Sequence, residues 1–276
     1  MLIGLGIVGA VADIITARQR SSRTLGRLIK GCGQLIVVVV FGVLSLTLTD
    51  AHGVAPASLD VSLLRDLPAG FAGLGVVAGV VAATAWICVL VGGMANAATT
   101  VEDFDGLAVG ALIFSIGAFV LIGFWQTVQS CTNPALRSLL AHKCYPVTDP
   151  AGLTEMAVVL VSALVGFLWW NTYPTRVRLG ETGTTALGGA LAGLAIFART
   201  ELLLVLVGGL FLFLAATRMV PGIGRHGSAA GPRGPLHRNL ESAGWARMTV
   251  IVRFWISAGL AGATGFGIFY ADWVVR

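Results

Sequence analysis

The chain has 276 residues, of which 56% are apolar and 11% are charged, with 18 Lys and Arg against 13 Asp and Glu. Soluble domains carry about 25% charged residues, so the composition excludes an ordinary soluble protein. A membrane helix needs roughly 20 apolar residues, and the chain has room for about seven such helices. We therefore expect an all-α polytopic membrane bundle, whose net charge of +5 lies in loops beside the bilayer.

Nearly uncharged stretches predict the membrane spans in chain order. The full-length stretches are 31–48, 69–95, 107–125, 156–170, 182–198, 202–217 and 248–271. Residues 1–12 are too short to cross a bilayer alone, and they lack the charges and cleavage site of a signal peptide. We expect them to end a helix whose beginning is absent, within a single membrane domain of residues 1–276.

The distribution of basic residues predicts the orientation. Alternate loops at 13–30, 96–106, 171–181 and 218–247 hold 12 of the 18 Lys and Arg residues. Cytoplasmic loops are enriched in these residues, so the four loops are predicted to face the cytoplasm. The same parity places the C-terminus on the outer side of a membrane that the chain crosses several times.

The outer loop 126–155 contains Cys131 and Cys144. An oxidising compartment permits a disulfide between them, and two separate thiols are the alternative. The glycine pairs at 188–189 and 208–209 allow close helix packing. That packing occurs either within one chain or between the two copies of a homodimer.

Acidic side chains gather at the predicted cytoplasmic ends of the spans. They are Asp13, Glu102, Asp103, Asp105, Glu181 and Glu241. Mg²⁺ is commonly bound by one or two carboxylates together with substrate phosphates, so the cluster predicts a Mg²⁺ site. Ordinary helix-end charge is the alternative explanation. The nearby His237 either handles a phosphate or a proton, or is a solvated loop side chain.

The motifs on this side, taken in order, resemble those of the phospho-N-acetylmuramoyl-pentapeptide transferases and related polyprenyl-phosphate hexosamine-1-phosphate transferases. Residues 166–171 and 179–189 are similar to the family pattern GFLWWN followed by MGDTGSLALGG. Residues 96–108 resemble NAVNLTDGLDGLA, and residues 235–245 resemble PLHHHFE followed by GW. Residues 252–257 resemble VRFWIIS, and residues 9–34 resemble the GFxDD region with its lysine and glutamine, here Lys30 and Gln34.

The resemblance implies Mg²⁺-dependent transfer of phospho-MurNAc-pentapeptide, or a related phospho-sugar, from a UDP-linked amino sugar to undecaprenyl phosphate. UMP would be released. The implied partners are these two substrates and the lipid bilayer, with no nucleic acid. By motif position, the implied catalytic residues are Asp13, Glu102 and His237, and the implied metal ligand is Glu181. The implied substrate-binding residues are Lys30, Asn96, Asp105 and Asn171.

Several positions depart from the family pattern. Ala12 and Thr16 stand where the family has an aspartate and a lysine, and Glu102 and Glu181 replace aspartates. The triple histidine reads His-Arg-Asn from His237. We expect the family's leading helices to be missing, and a truncated start is the alternative explanation. Lengthening a carboxylate moves its oxygens by about one methylene, and Mg²⁺ tolerates geometric error poorly.

These departures leave two hypotheses open. The first is an active membrane phosphoglycosyl transferase of cell-wall synthesis with altered substrate choice or rate. The second is a catalytically impaired paralogue that binds polyprenyl phosphate, a nucleotide or a partner in wall synthesis. A transporter is a third hypothesis supported by hydrophobicity alone, since the sequence shows no inverted repeat.

Overall fold

The computed structural model describes residues 1–18, 23–49, 55–65, 70–102, 106–131, 144–145, 147–219, 240 and 243–275. Within these ranges the chain is helical and contains no β-strand. A 3₁₀-helix at Phe71–Leu74 precedes the third α-helix. The α-helices are α1 (Leu2–Arg18), α2 (Arg23–Thr47), α3 (Val76–Thr99), α4 (Leu107–Val128), α5 (Pro150–Asn171), α6 (Gly180–Phe197), α7 (Leu203–Val207), α8 (Gly209–Met219) and α9 (Arg247–Val275).

Five of these helices are long and apolar enough to cross a membrane. They are α2 from Leu28 onward, α3, α4, α5 and α9. Each is at least 20 residues long, which at 1.5 Å per residue spans a hydrocarbon core of about 30 Å. The expectation of an all-α polytopic membrane bundle is therefore confirmed.

The predicted span 202–217 differs from the structure, because it is divided into α7 and α8 at Gly208. Glycine is a poor helix former, at about 1 kcal/mol less favourable than alanine, and two glycines are adjacent here. The carbonyl of Val207 accepts a hydrogen bond from Ser115 Oγ at 2.9 Å, which satisfies that group near the interruption. Hydropathy averaged along the segment does not register this break.

The predicted span 182–198 corresponds to α6, which is an interior helix of 18 residues. Twelve of its residues are buried, and it packs against α1, α3 and α4. A Cβ added at Gly188 would lie 2.8 Å from the carbonyl oxygen of Met94, so only glycine permits this approach of α6 to α3. Small residues thus place α6 between its neighbours, as in other membrane helix packings.

The predicted loop 13–30 is helical over most of its length. The helix α1 continues to Arg18 and α2 begins at Arg23, so only residues 19–22 fall outside the described helices. Arginine, lysine and leucine are good helix formers, and residues 10–18 contain neither glycine nor proline. Asp13 and Lys30 consequently stand on two helices and not in a loop.

At the end of the bundle where α4 stops, Cys131 and Cys144 form a disulfide. The disulfide alternative is therefore confirmed over separate thiols. Arg65 donates to the carbonyl oxygen of Cys144 at 3.1 Å and lies 4.5 Å above the ring of Tyr145. Its Nε is also 3.5 Å from Asp272 near the end of α9. These contacts join a covalently closed loop to the last helix.

Candidate functional site

The N-terminus of α6 is joined to α1 through a carboxylate. Asp13 Oδ2 accepts hydrogen bonds from the backbone N–H of Thr182 at 3.1 Å and from Thr182 Oγ1 at 2.6 Å. The N-terminus of a helix carries partial positive charge, so a carboxylate there is stabilised by both the hydrogen bonds and the helix dipole. Asp13 therefore fixes the first turn of α6 against α1.

Two glycines make this approach of the backbones possible. A Cβ added at Gly9 would lie 2.6 Å from the Cα of Thr182, a distance that real side chains do not show. Gly180 begins α6 with a φ of 73°, a conformation that favours glycine. Gly9 lies in the motif segment 9–34 and Gly180 in the motif segment 179–189. These two glycines determine the positions of Asp13 and Glu181.

A second link joins α6 to α2. Lys30 Nζ donates to Glu181 Oε2 at 3.2 Å. The Lys30 side chain is 12% exposed and that of Glu181 is 43% exposed, so the pair lies at the edge of the bundle with its cation mostly covered. The structure thus brings together Lys30 and Glu181, which are separated by 151 residues in the sequence.

The polar contact between α2 and α3 lies one helical turn along α2 from this ion pair. Asn96 Nδ2 donates to Gln34 Oε1 at 3.2 Å and to the Gly92 carbonyl at 2.7 Å. Gln34 is buried, whereas Asn96 is exposed. Because Gln34 follows Lys30 by four residues, it lies on the same face of α2 as Lys30. We define the ends of α1, α2, α3 and α6 that carry Asp13, Lys30, Asn96 and Glu181 as the site end of the bundle.

Asn171 has a different environment from the other predicted site residues. It is buried, its Oδ1 accepts from the Gly106 backbone N–H at 3.1 Å, and its Nδ2 donates to the Val177 carbonyl at 2.8 Å. Trp255 Nε1 also donates to the Gly106 carbonyl, at 3.2 Å. The two ends of the Asn171 amide therefore hold the segment that follows α5 against the start of α4.

Three predicted site residues remain, namely Glu102, Asp105 and His237. Glu102 is half-buried just after α3, where its backbone N–H donates to the Thr99 carbonyl at 3.4 Å. Asp105 and His237 lie outside the described residues. The part of the chain that the structure describes contains no group of three or more His, Cys, Asp or Glu side chains close enough to hold a metal ion.

Sequence reasoning missed Thr182 and Trp255 as members of this region. Thr182 lies in the first turn of α6, where the backbone N–H groups have no partner within the helix. Nothing in the local pattern indicates that this partner is Asp13, 169 residues earlier in the chain. Trp255 belongs to an apolar helix, and an interfacial or core position would have been the ordinary expectation.

Comparison with known proteins places this geometry in a family. A family model described as "Glycosyl transferase family 4" matches residues 1–199. The protein named phospho-N-acetylmuramoyl-pentapeptide-transferase of Clavibacter michiganensis subsp. michiganensis is 46% identical over 280 residues, covering 100% of this chain and 76% of the relative. The chain belongs to the phospho-N-acetylmuramoyl-pentapeptide transferase family.

Further relatives of the same name support this family membership. The protein of Clavibacter sepedonicus is 46% identical, with coverage of 100% of this chain and 76% of its own length. The protein of Kineococcus radiotolerans is 41% identical, with coverage of 99% and 76%. The resemblance drawn from the motifs is thus confirmed. The relatives carry the transferase name, and they give no support to the hypothesis of an impaired paralogue.

Proposed function

We propose that this family member is a membrane phosphoglycosyl transferase of peptidoglycan synthesis. It transfers phospho-MurNAc-pentapeptide from a UDP-linked sugar to undecaprenyl phosphate and releases UMP. The names of the relatives and the five apolar helices of spanning length support this function. The observation that carries it is the convergence of Asp13, Lys30 and Glu181 on the first turn of α6.

The proposed orientation follows from the same arrangement. We place the site end at the cytoplasmic face of a bacterial plasma membrane, with the segments 13–30, 96–106, 171–181 and 218–247 on that side. The C-terminus lies outside, and residues 1–276 act as one membrane domain. The positive-inside rule and the clustering of the polar motif residues at one end of the bundle support this orientation.

In the proposed reaction, an oxygen of the polyprenyl phosphate attacks the sugar-linked phosphorus of the donor. One phosphorus–oxygen bond forms as the bridging bond of the donor diphosphate breaks, and UMP leaves with the electron pair of that bond. Phosphoryl transfer of this kind depends chiefly on positioning and on stabilising negative charge. The site end offers a lysine and a helix N-terminus for these purposes.

Lys30 is the proposed phosphate-binding cation. In the structure its charge is neutralised by Glu181 at 3.2 Å. A donor diphosphate brings more negative charge than a single carboxylate, so we expect the ammonium group to turn from Glu181 towards the phosphates when substrate binds. The flexible four-carbon stem of lysine allows this change of partner with little movement of α2.

Glu181 is the proposed metal ligand, and its surroundings fit Mg²⁺. Its side chain is 43% exposed and can be approached, while the described residues offer no complete protein-made cage. Mg²⁺ accepts such sites, because it commonly takes one or two carboxylates and completes its shell with substrate phosphates and water. When bound, the ion would supply neutralisation of the phosphate charge. The position of Glu181 at the site end is fixed by its two neighbours, Gly180 and Thr182, the second of which is hydrogen-bonded to Asp13.

The other motif residues have proposed roles that follow their positions. Asp13 holds α6 in register and lies by the lipid phosphate, and Asn96 contributes an exposed amide to substrate binding. Asn171 acts by positioning Gly106, next to Asp105, which is proposed to contact the nucleotide. Glu102 and His237 are proposed to assist at the phosphates.

The proposed function is tested by UMP release from the purified full chain in detergent, with UDP-MurNAc-pentapeptide, undecaprenyl phosphate and Mg²⁺. We expect turnover that falls by about 100-fold or more in Glu181→Ala, the loss that follows removal of one strong transition-state contact. Glu155→Ala is the matched control, because it removes an exposed carboxylate from the first turns of α5, away from the site end. Wild-type turnover no higher than that of Glu181→Ala would reject the function.

A further inference from the structure

A cluster of stacked arginines and aromatic rings lies where α5 ends and α9 begins. Three guanidinium groups lie over three rings: Arg176 over Trp170 at 5.8 Å, Arg247 over Tyr173 at 5.0 Å and Arg253 over Trp245 at 4.2 Å. All three distances are within about 6 Å, the range of cation–π attraction. We call these six residues the arginine–aromatic patch. The contact between Arg247 and Tyr173 joins the residues at the end of α5 to the residues at the beginning of α9.

The patch is positioned at a membrane–water boundary. Both α5 and α9 are of spanning length, and their ends here are Asn171 and Arg247. The neighbouring Trp169 is 82% exposed and Trp170 is 50% exposed, which would be costly in water without a lipid interface. Tryptophan and tyrosine are enriched at the level of lipid headgroups, so these rings place the arginines at headgroup depth.

The charge of the patch is available to a ligand. Arg176 and Arg253 are exposed, and no carboxylate of the described residues pairs with either of them. A guanidinium group stacked on a ring keeps its N–H groups at the edge, where they match the oxygens of a phosphate in a bidentate manner. The rings hold the arginines in place, so little side-chain freedom is lost when a phosphate binds.

We propose that the arginine–aromatic patch binds the headgroup of an anionic phospholipid from the surrounding leaflet, such as phosphatidylglycerol. The positive charge of the patch favours a lipid of net negative charge over a zwitterionic lipid, because the ammonium group of the zwitterionic lipid is repelled by the arginines. The exposed Val252 precedes Arg253 on α9 and the exposed Ile256 lies one turn after it, and both provide an apolar surface for the acyl chains. The patch shares no residue with the Lys30–Glu181 pair, and lipid binding can be measured without the proposed reaction.

The test measures lipid binding to the full chain by native mass spectrometry and by thermal shift in detergent. Phosphatidylglycerol, phosphatidylcholine and inorganic phosphate are added separately. We expect phosphatidylglycerol to bind roughly tenfold more tightly than phosphatidylcholine, since each arginine at the surface adds to the attraction for anionic lipid. Inorganic phosphate is expected to give no thermal shift, because it lacks the acyl chains.

The key variant is Arg176→Gln/Arg253→Gln, which removes two exposed arginines without touching the half-buried Arg247. It should bind both lipids alike. The control Arg218→Gln removes an exposed arginine near the end of α8, outside the patch, and should keep the preference for phosphatidylglycerol. Equal binding of the two lipids by the wild type would overturn the proposal. So would a preference retained by the key variant, or displacement of the lipid by millimolar inorganic phosphate.

Discussion

The Lys30–Glu181 ion pair makes the most specific prediction, because replacing Lys30 by methionine should change two measurements in opposite directions. The Nζ–Oε2 distance is 3.2 Å, and the two side chains are 12% and 43% exposed. Coulomb attraction at this distance is about 5 kcal/mol for an effective dielectric constant of 20. Exposed pairs contribute only about 0.2–1 kcal/mol after desolvation and side-chain ordering are included. Since this pair is half covered, we expect a net contribution of about 1 kcal/mol.

A divalent cation that binds Glu181 must first displace Lys30. Lys30→Met removes this competition, so Glu181 should bind the cation about fivefold more tightly in the absence of substrate, the equivalent of about 1 kcal/mol. The same variant lacks the cation proposed to bind the donor phosphates, and UMP release should fall by about 100-fold. Tighter metal binding together with slower turnover is the signature of a lysine that exchanges partners.

Electron paramagnetic resonance of Mn²⁺ with the purified full chain measures the first effect, and UMP release measures the second. Lys30→Arg keeps the charge and serves as the matched control, with metal affinity close to that of the wild type. Glu181→Gln should abolish the protein-bound Mn²⁺ that is measured for the wild type and for the two Lys30 variants. Unchanged or weaker Mn²⁺ binding in Lys30→Met would refute the exchange of partners.

Three further changes test the contacts that position the site. Asp13→Ala removes two hydrogen bonds to Thr182 and should lower the free energy of unfolding by about 2–3 kcal/mol, measured by thermal or denaturant unfolding in detergent; a loss below half of this would contradict the anchoring of α6. Asn171→Leu leaves a buried backbone N–H without its partner and should cost about 1–3 kcal/mol, with UMP release reduced more in kcat than in KM; a change confined to KM would indicate direct substrate contact instead. Cys131→Ser opens the Cys131–Cys144 disulfide and should cost about 3 kcal/mol of stability, whereas Cys32→Ser removes an exposed free thiol and should cost less than about 0.5 kcal/mol; equal effects would disprove a stabilising disulfide.

The spanning helices could be predicted because their signal is local. A run of about 20 apolar residues has few other solutions in lipid, and α3, α4, α5 and α9 coincide with such runs. Their bounds are less well predicted, since α3 begins at Val76 and not at residue 69, and α5 begins at Pro150 and not at residue 156. The break at Gly208 is different, since the Val207 carbonyl beside it is satisfied by Ser115 of another helix, which the local sequence does not indicate. The burial of α6 likewise depends on which helices surround it.

The candidate site was predictable in composition but not in connectivity. The motifs identified Asp13, Lys30 and Glu181 as residues of one region, and these three do meet at α6. The pairing of Lys30 with Glu181 and of Asp13 with Thr182 joins positions more than 150 residues apart, which neither periodicity nor spacing encodes. Asn171 shows the limit most clearly, because a motif cannot distinguish an amide that contacts a substrate from one that holds Gly106.

The most direct test of the central claim is to measure the polyprenyl-linked product and UMP in the same reaction. Mass spectrometry of the extracted lipid would detect the undecaprenyl diphosphate sugar, and the released nucleotide would be quantified alongside it. If the residues at the N-terminus of α6 form the transfer site, the two products appear in equal amounts, require Mg²⁺ and are lost together in Glu181→Ala. Absence of the lipid-linked product from the wild type, or its undiminished formation by Glu181→Ala, would contradict the account.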